Sequence, residues 1–379
     1  MQDRVRAYYQ AVVDVLPKSE HVHCISVNHT APNSTLFVNA ISKIVTVDAI
    51  LAKPSSYDLP ERRAIQNSLN KPIRKLDRDE LKGSEWLTSL ISETGAPARD
   101  IVLADIGGYF SPFIDTTAGL YSGRILGVLE GTENGALRYE ANLPRSVPVM
   151  TVARSPLKLP EDHLVGAGVV FSVEAVLREL VQVLQTQRAC VIGYGKIGRG
   201  VAEALRGRGV PTAVYDNDPV KRAEAAARGY QIYPSLTRAI SNRSLVISAT
   251  GKNAIGVRDL ESLTPNAILA TVTSADDELS FGSLQHVYDG YEVTDNLWQY
   301  VSKADPEKSF YLVGNGRPAN FLHGAVLGPA LELISGEKLA AIACLAQGKT
   351  KPDSRLIEVS HDLRKNVAEI WTQFFVPEL

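Results

Sequence analysis

The chain of 379 residues holds only three cysteines, Cys24, Cys190 and Cys344, and two methionines. An odd, scattered set of thiols builds no disulfide framework, so a reducing compartment is expected, and the cytoplasm is the natural one. Neither sign of charge is in excess. Lys and Arg number 40 against 42 Asp and Glu, and the net charge of −2 gives no electrostatic ground for nucleic acid or an anionic membrane as partner. No uninterrupted apolar run approaches the roughly 18 residues a bilayer span needs. The opening MQDRVRAYYQAVVDVLPKSE carries charges among its apolar positions, as a helix does and a secretory h-region does not. Internal repeats and low-complexity stretches are absent. Metal-ligand spacing is also scarce: in His21-x-His23-Cys24, strand alternation puts the two histidines on one face and the thiol on the other, and no second Cys/His cluster completes a site. No metal is expected. With 45% hydrophobic and 22% charged residues, the chain is long enough for two ordinary globular domains.

Against this plain background residues 189–218 stand out. The apolar run 189–192 reads as a buried strand, and Gly193-Tyr194-Gly195-Lys196-Ile197-Gly198 then fits G-x-G-x-x-G at the start of a helical pattern. A second apolar run, 212–215, ends in Asp216 and Asn217. Gly193 serves a tight turn, Gly195 lets backbone approach a pyrophosphate, and Gly198 lets helix and strand pack closely, while the helix N-terminus offers unpaired N–H groups to phosphate. Asp216 follows Gly198 by 18 residues, near the spacing at which a carboxylate receives the ribose 2′-OH of NAD and repels the 2′-phosphate of NADP. Strand, glycines, helix, strand and acid in this order predict a Rossmann-type, doubly wound NAD-binding domain.

Around it, residues 1–165 alternate strand and helix signals, with strands at 22–27, 101–104, 125–129 and 147–152, and read as a second α/β domain for substrate. An amphipathic stripe, Val173, Val176, Leu177, Leu180, Val181 and Leu184, predicts a helix running to the nucleotide domain, taken as 166–326. Later strand ends carry Thr250-Gly251 and Gly314-Asn315-Gly316-Arg317. Residues 327–379 read as helices returning to the first domain, with hinges near 164–168 and 324–328.

At this point the motifs resemble those of S-adenosylhomocysteine hydrolase. The nucleotide domain, the Thr250-Gly251 turn and Gly314-Asn315-Gly316-Arg317-Pro318-Ala319-Asn320 sit in that family's order, and residues 155–166, SPLKLPEDHLVG, follow its catalytic segment without a gap. The resemblance implies bound NAD that oxidises the 3′ carbon of a nucleoside ribose, after which the 4′ proton is removed, the 5′ substituent leaves and the hydride returns. It makes Lys158 the base at the 3′-OH, oriented by Asp162, and His29 the acid or base on the 5′ side. Asn320 falls on the family's carboxamide-binding asparagine, and Thr132, Glu133 and Asn134 on its nicotinamide-side loop. Asp105 lies one place off the main substrate carboxylate, and His323 is the histidine nearest to one the chain lacks. A homo-oligomer is implied as well.

The departures carry equal weight. Ser274 stands for a family histidine, Gly328-Pro329 lacks another, Glu130-Gly131 replaces a pair of glutamates, and Val376-Pro377-Glu378-Leu379 replaces a lysine- and tyrosine-bearing tail. The oxidising end is kept while the groups around a 5′ thioether are not. Three functions fit: a nucleoside dehydratase of secondary metabolism, of the angustmycin type, that loses water from the sugar hydroxymethyl; a divergent S-adenosylhomocysteine hydrolase; and a catalytically silent NAD-binding regulator.

Overall fold

The computed structural model describes all residues except 58, 72, 77–80, 82, 84, 95–97, 274–277, 280 and 377–379, and for 54–57 and 281 the backbone alone. Ser274 and the last three residues of the tail therefore lie outside the described residues. The chain forms two compact units, Met1–Lys158 with Gly328–Leu379, and Leu159–Leu327.

In the first unit the strands are β1 His23–Thr30, β2 Thr46–Tyr57, β3 Ile73–Lys75, β4 Asp100–Asp105, β5 Arg124–Glu130 and β6 Val149–Thr151. The second unit follows with β7 Ala189–Ile192, β8 Thr212–Tyr215, β9 Gln231–Ile232, β10 Leu245–Ser248, β11 Ala267–Thr271, β12 Tyr288–Thr294, β13 Leu297–Ser302 and β14 Ser309–Val313; β15, Ile357–Glu358, then completes the first.

The first unit's sheet runs β15-β6-β5-β4-β1-β2-β3 and is parallel throughout. Its strands are near-continuous apolar runs because both faces are covered. One layer gathers Val12, Ile41 and Ile65 with Ile334, Leu339 and Ile342 of the helix Ala330–Ala346; the other gathers Ile25, Leu103 and Val128 with Leu87, Phe110 and Tyr139. The late helix is buried almost all round and rests on β4, β5, β6 and the 3₁₀ turn Pro156–Lys158. Winding runs outward through β1, β2 and β3, then restarts on the other side of β1 with β4, so the topological switch point lies between β1 and β4.

The second unit repeats this logic. Its sheet order is β12-β13-β14-β11-β10-β7-β8-β9, with the switch point between β7 and β10. The edge pairs β12–β13 and β13–β14 are antiparallel, a hairpin extension that the sequence pattern did not announce. The helix Leu159–Glu179 packs along the helix Lys196–Gly207, and a Cβ on Gly166 would come within 2.8 Å of Gly200 Cα. Gly166, placed at a domain boundary by the sequence pattern, thus lies inside a helix, and the chain leaves the first unit at Lys158. The amphipathic stripe also ends sooner than its spacing suggests. Val181 adopts φ +57 and is 94% exposed, and Leu184 belongs to a separate 3₁₀ turn.

Candidate functional site

At the switch point of the second unit, Gly193 has φ +89, and a Cβ there would lie 2.7 Å from the Ala249 carbonyl oxygen. A Cβ on Gly198 would overlap the Gly193 carbonyl, so β7, the turn and the helix Lys196–Gly207 meet with no side chain between them. Gly195, the N-cap, is different: a Cβ there meets nothing within 4 Å. Open space in front of the first helical N–H groups, those of Lys196 and Ile197, is what a pyrophosphate requires. Asp216 ends the next strand. Its Oδ2 accepts the Tyr194 N–H at 2.7 Å and its Oδ1 the Asp218 N–H at 2.9 Å, which leaves lone pairs for a ribose hydroxyl. Asn217 beside it is exposed.

Opposite, Thr250 and Gly251 are pinned by a residue that sequence reading missed. Glu278 is fully buried, and its carboxylate accepts Ser248 Oγ (2.7 Å), Thr250 N (3.0 Å) and Oγ1 (2.7 Å), Gly251 N (2.9 Å) and Thr273 Oγ1 (2.7 Å). A carboxylate seated among five donors shapes the turn after β10. Asn320, in the 3₁₀ turn Ala319–Phe321, is 8% exposed, and its Oδ1 has no partner among the described residues. A buried amide with spare hydrogen-bonding capacity calls for a polar ligand group. Together the open space at Gly195, the acid at Asp216 and the amide at Asn320 fit NAD. His323, by contrast, is exposed; its Nδ1 lies 3.0 Å from Ser172 Oγ, and its ring packs edge-on against Phe171.

Replacing Asp216 by Ala removes charge-assisted hydrogen bonds of the kind worth about 1.5–3 kcal/mol. NAD should then bind roughly tenfold or more weakly, with NADP weakened less, as measured by titration calorimetry. Equal binding of both cofactors by the unmodified protein would contradict this role.

The first unit assembles a separate cluster at its own switch point. His29 lies one residue before the end of β1. The pairing of β1 with β2 jumps there, from Asn28–Ala52 to Thr30–Tyr57, so residues 53–56 bulge opposite His29 and Lys53 opens the bulge. Lys158 closes the 3₁₀ turn after β6, and Lys338 comes from the helix Ala330–Ala346. All four are half-buried. Burial first, then the charges of Lys53, Lys338 and Lys158, push the His29 imidazole well below the usual histidine range, so it is neutral at pH 7.

Two buried carboxylates, Asp105 and Glu130, end the paired strands β4 and β5. Asp105 Oδ2 accepts the Phe110 N–H (2.9 Å) and the Tyr139 hydroxyl (2.8 Å). Glu130, its neighbour across β4 and β5, accepts N–H groups of Gly107, Gly108 and Thr132 and the Thr132 hydroxyl. Burial and the nearby Asp105 raise Glu130 to about 7, and burial raises Asp105 too. Asp105 thus holds the loop that follows its own strand. Thr132 caps the helix Glu133–Glu140 through its Oγ1, and Glu133 pairs with Arg154 at 2.8 Å. Thr132, Glu133 and Asn134 all belong to the first unit, whereas Asp162 is buried in the first turn of the helix Leu159–Glu179 in the second. His23, from the doubtful metal motif, lies 2.8 Å from Asp48 and 3.0 Å from Arg99, while Cys24 faces the core.

Fold and crevice define an α/β protein with a Rossmann-type NAD-binding unit. Residues 171–325 match the NAD-binding domain of S-adenosyl-L-homocysteine hydrolase. Beyond that unit the chain is similar, at modest identity, to adenosylhomocysteinases and an S-inosyl-L-homocysteine hydrolase. It is 26% identical over 276 residues to the adenosylhomocysteinase of Sulfolobus acidocaldarius, covering 71% of this chain and 65% of that one. To the S-inosyl-L-homocysteine hydrolase of Methanopyrus kandleri it is 28% identical over 255 residues (65% and 59%), and to the adenosylhomocysteinase of Aeropyrum pernix 31% over 205 (52% and 48%). The matches thus span about half to two thirds of the length of these relatives.

Proposed function

We propose that the protein is an NAD-dependent enzyme that oxidises the 3′ carbon of a nucleoside transiently and eliminates across the 4′ and 5′ carbons, with oxygen rather than sulfur as the 5′ leaving atom: a nucleoside dehydratase. The observation that carries this reading is the meeting of His29 and Lys158 at one switch point, where ligands of open α/β sheets bind. NAD, held by Gly193, Gly195, Gly198, Asp216 and Asn320, supplies hydride acceptance and return. Lys158 takes the proton of the 3′-OH. A 3′ ketone acidifies the 4′ C–H, and a neutral imidazole is suited to remove that proton, which is the work assigned to His29. The loss of a carboxylate at Gly131 and of the two family histidines supports a 5′ group other than homocysteine.

The second reading is hydrolysis of a 5′ thioether, the activity named for the adenosylhomocysteinase relatives, and the match at residues 171–325 favours it. Incubation of the purified protein with NAD and a nucleoside panel separates the two by mass spectrometry. Loss of water from a nucleoside supports the dehydratase. Cleavage of S-adenosylhomocysteine at an ordinary rate of about 1 s⁻¹ or more replaces it with the hydrolase.

A further inference from the structure

Strand β1 carries two polar side chains that the fold leaves without partners. Its alternation sends Ile25 and Val27 into one apolar layer and Cys24 into the other, which also holds Ala104 of β4 and Ala52 of β2. Ser26 pairs in register with Ala104 and Asn28 with Ala52, so both share the Cys24 face. Ser26 is 1% exposed and Asn28 7%, and neither Ser26 Oγ nor Asn28 Nδ2 has a hydrogen-bond partner among the described residues.

A buried amide left without its hydrogen bonds is costly, and a fold that keeps one leaves it for a ligand to complete. Asn28 stands where a ligand is expected. The strand β4 ends at Asp105, one residue past the partner of Ser26, so Asn28 overhangs the end of β4 at the switch point between β1 and β4. His29 follows it directly. Ser26 lies two residues deeper in the sheet, so of the two polar groups the amide is the one that a ligand at the crevice meets.

We propose that Asn28 reads the base of the nucleoside, its amide donating to one atom of the base edge and accepting from the next. That the ligand is a nucleoside rests on the reading above; the contact itself is tested apart from the chemistry. Strand alternation turns Asn28 to the opposite face of β1 from His29. With the reacting sugar carbons at His29, the part of the ligand that reaches the other side of the strand end is the base. An amide suits it, because it carries a donor beside an acceptor. Asparagine grips N6 and N7 of adenine in this way, and the other nucleobases also place a donor beside an acceptor on their pairing edge. A hydrocarbon side chain at position 28 would bury equally well but tell bases apart by shape alone.

The test is titration calorimetry on the NAD-loaded protein with adenosine, inosine, cytidine and uridine, and with purine riboside and pyrimidin-2-one riboside, which keep the ring but lack the exocyclic group at the pairing edge. At least one natural nucleoside should bind about tenfold or more tightly than its parent-ring analogue. Asn28→Leu, close in size and apolar, and Asn28→Ala should each remove most of that preference while leaving the affinity for the analogues within about twofold. Without ligand, Asn28→Leu should melt no lower than the unmodified protein, because an unpartnered amide has left a buried layer. Natural nucleosides binding no better than the analogues to the unmodified protein would overturn the contact, whatever the variants do. Variants that weaken all ligands alike, or an Asn28→Leu protein that melts lower, would make the amide a structural group and overturn it as well. Bound-NADH absorbance is read alongside. A base preference that depends on Asn28, without NADH, refutes the oxidation and keeps the contact. NADH formed with no base preference refutes the contact alone, and a protein that binds no nucleoside refutes both.

Discussion

Lys158→Ala should abolish the absorbance of enzyme-bound NADH that substrate produces in the unmodified protein. A positioned base contributes roughly 10²- to 10⁴-fold to a proton transfer, and in the proposed reaction removal of the 3′-OH proton is what would let the hydride leave. Single-turnover mixing of substrate with the NAD-loaded variant should show oxidation slowed by about that factor. His29→Ala should separate from it, retaining NADH formation while losing the unsaturated product, because its proton transfer follows the ketone. If Lys158→Ala still forms NADH at the original rate, Lys158 is not the base. If both variants lose NADH alike, His29 acts before the oxidation or holds the substrate. Both side chains sit in the first unit, so NAD affinity measured without substrate should stay unchanged in either variant and serves as the control.

The second large effect falls on stability. Glu278→Ala should lower the unfolding free energy by about 3 kcal/mol or more, since each buried donor left without its acceptor costs about 1–3 kcal/mol. Ser248, Thr250, Gly251 and Thr273 would all lose the acceptor that their donors share. The turn after β10 lines the switch point, so NAD binding should fall together with the melting temperature. Glu278→Gln keeps one acceptor oxygen but turns an NH₂ group toward donors, and should lie between the two. Scanning calorimetry with and without NAD checks this. A Glu278→Ala protein that melts like the unmodified one would show that the carboxylate is not holding the turn.

Strand ends and glycine turns were the legible part of this sequence. The runs at β7 and β8 were read to the residue, because a buried parallel strand is a continuous apolar run cut off by Gly193 on one side and Asp216 on the other. The hairpin of β12 and β13 escaped notice because β12, Tyr-Asp-Gly-Tyr-Glu-Val-Thr, is largely exposed and carries no core signature. The helix before β7 was overextended because Val181 and Leu184 continue an apolar spacing that the backbone itself abandons at a positive φ. At the site, His29 and Lys158 were visible through short motifs. Lys53 and Lys338 were not, since they are 285 residues apart and meet only through a register jump and a helix from the far end of the chain. Glu278 gave no local signal: its five donors all precede it in the chain, four of them by 27 to 30 residues, and only the parallel sheet gathers them.

One consequence of the chain path concerns synthesis. Residues 159–327 are an insertion within the first unit, and everything the second unit needs is made before residue 328. The first unit lacks its buried helix Ala330–Ala346 and its edge strand β15 until synthesis has passed the whole of the second unit. During translation, then, the cofactor unit can close its core while β6 is still an open edge and one face of the first sheet is uncovered. Early polypeptides would therefore bind NAD before they could bind substrate, and the exposed strands of the unfinished half are where a chaperone would engage.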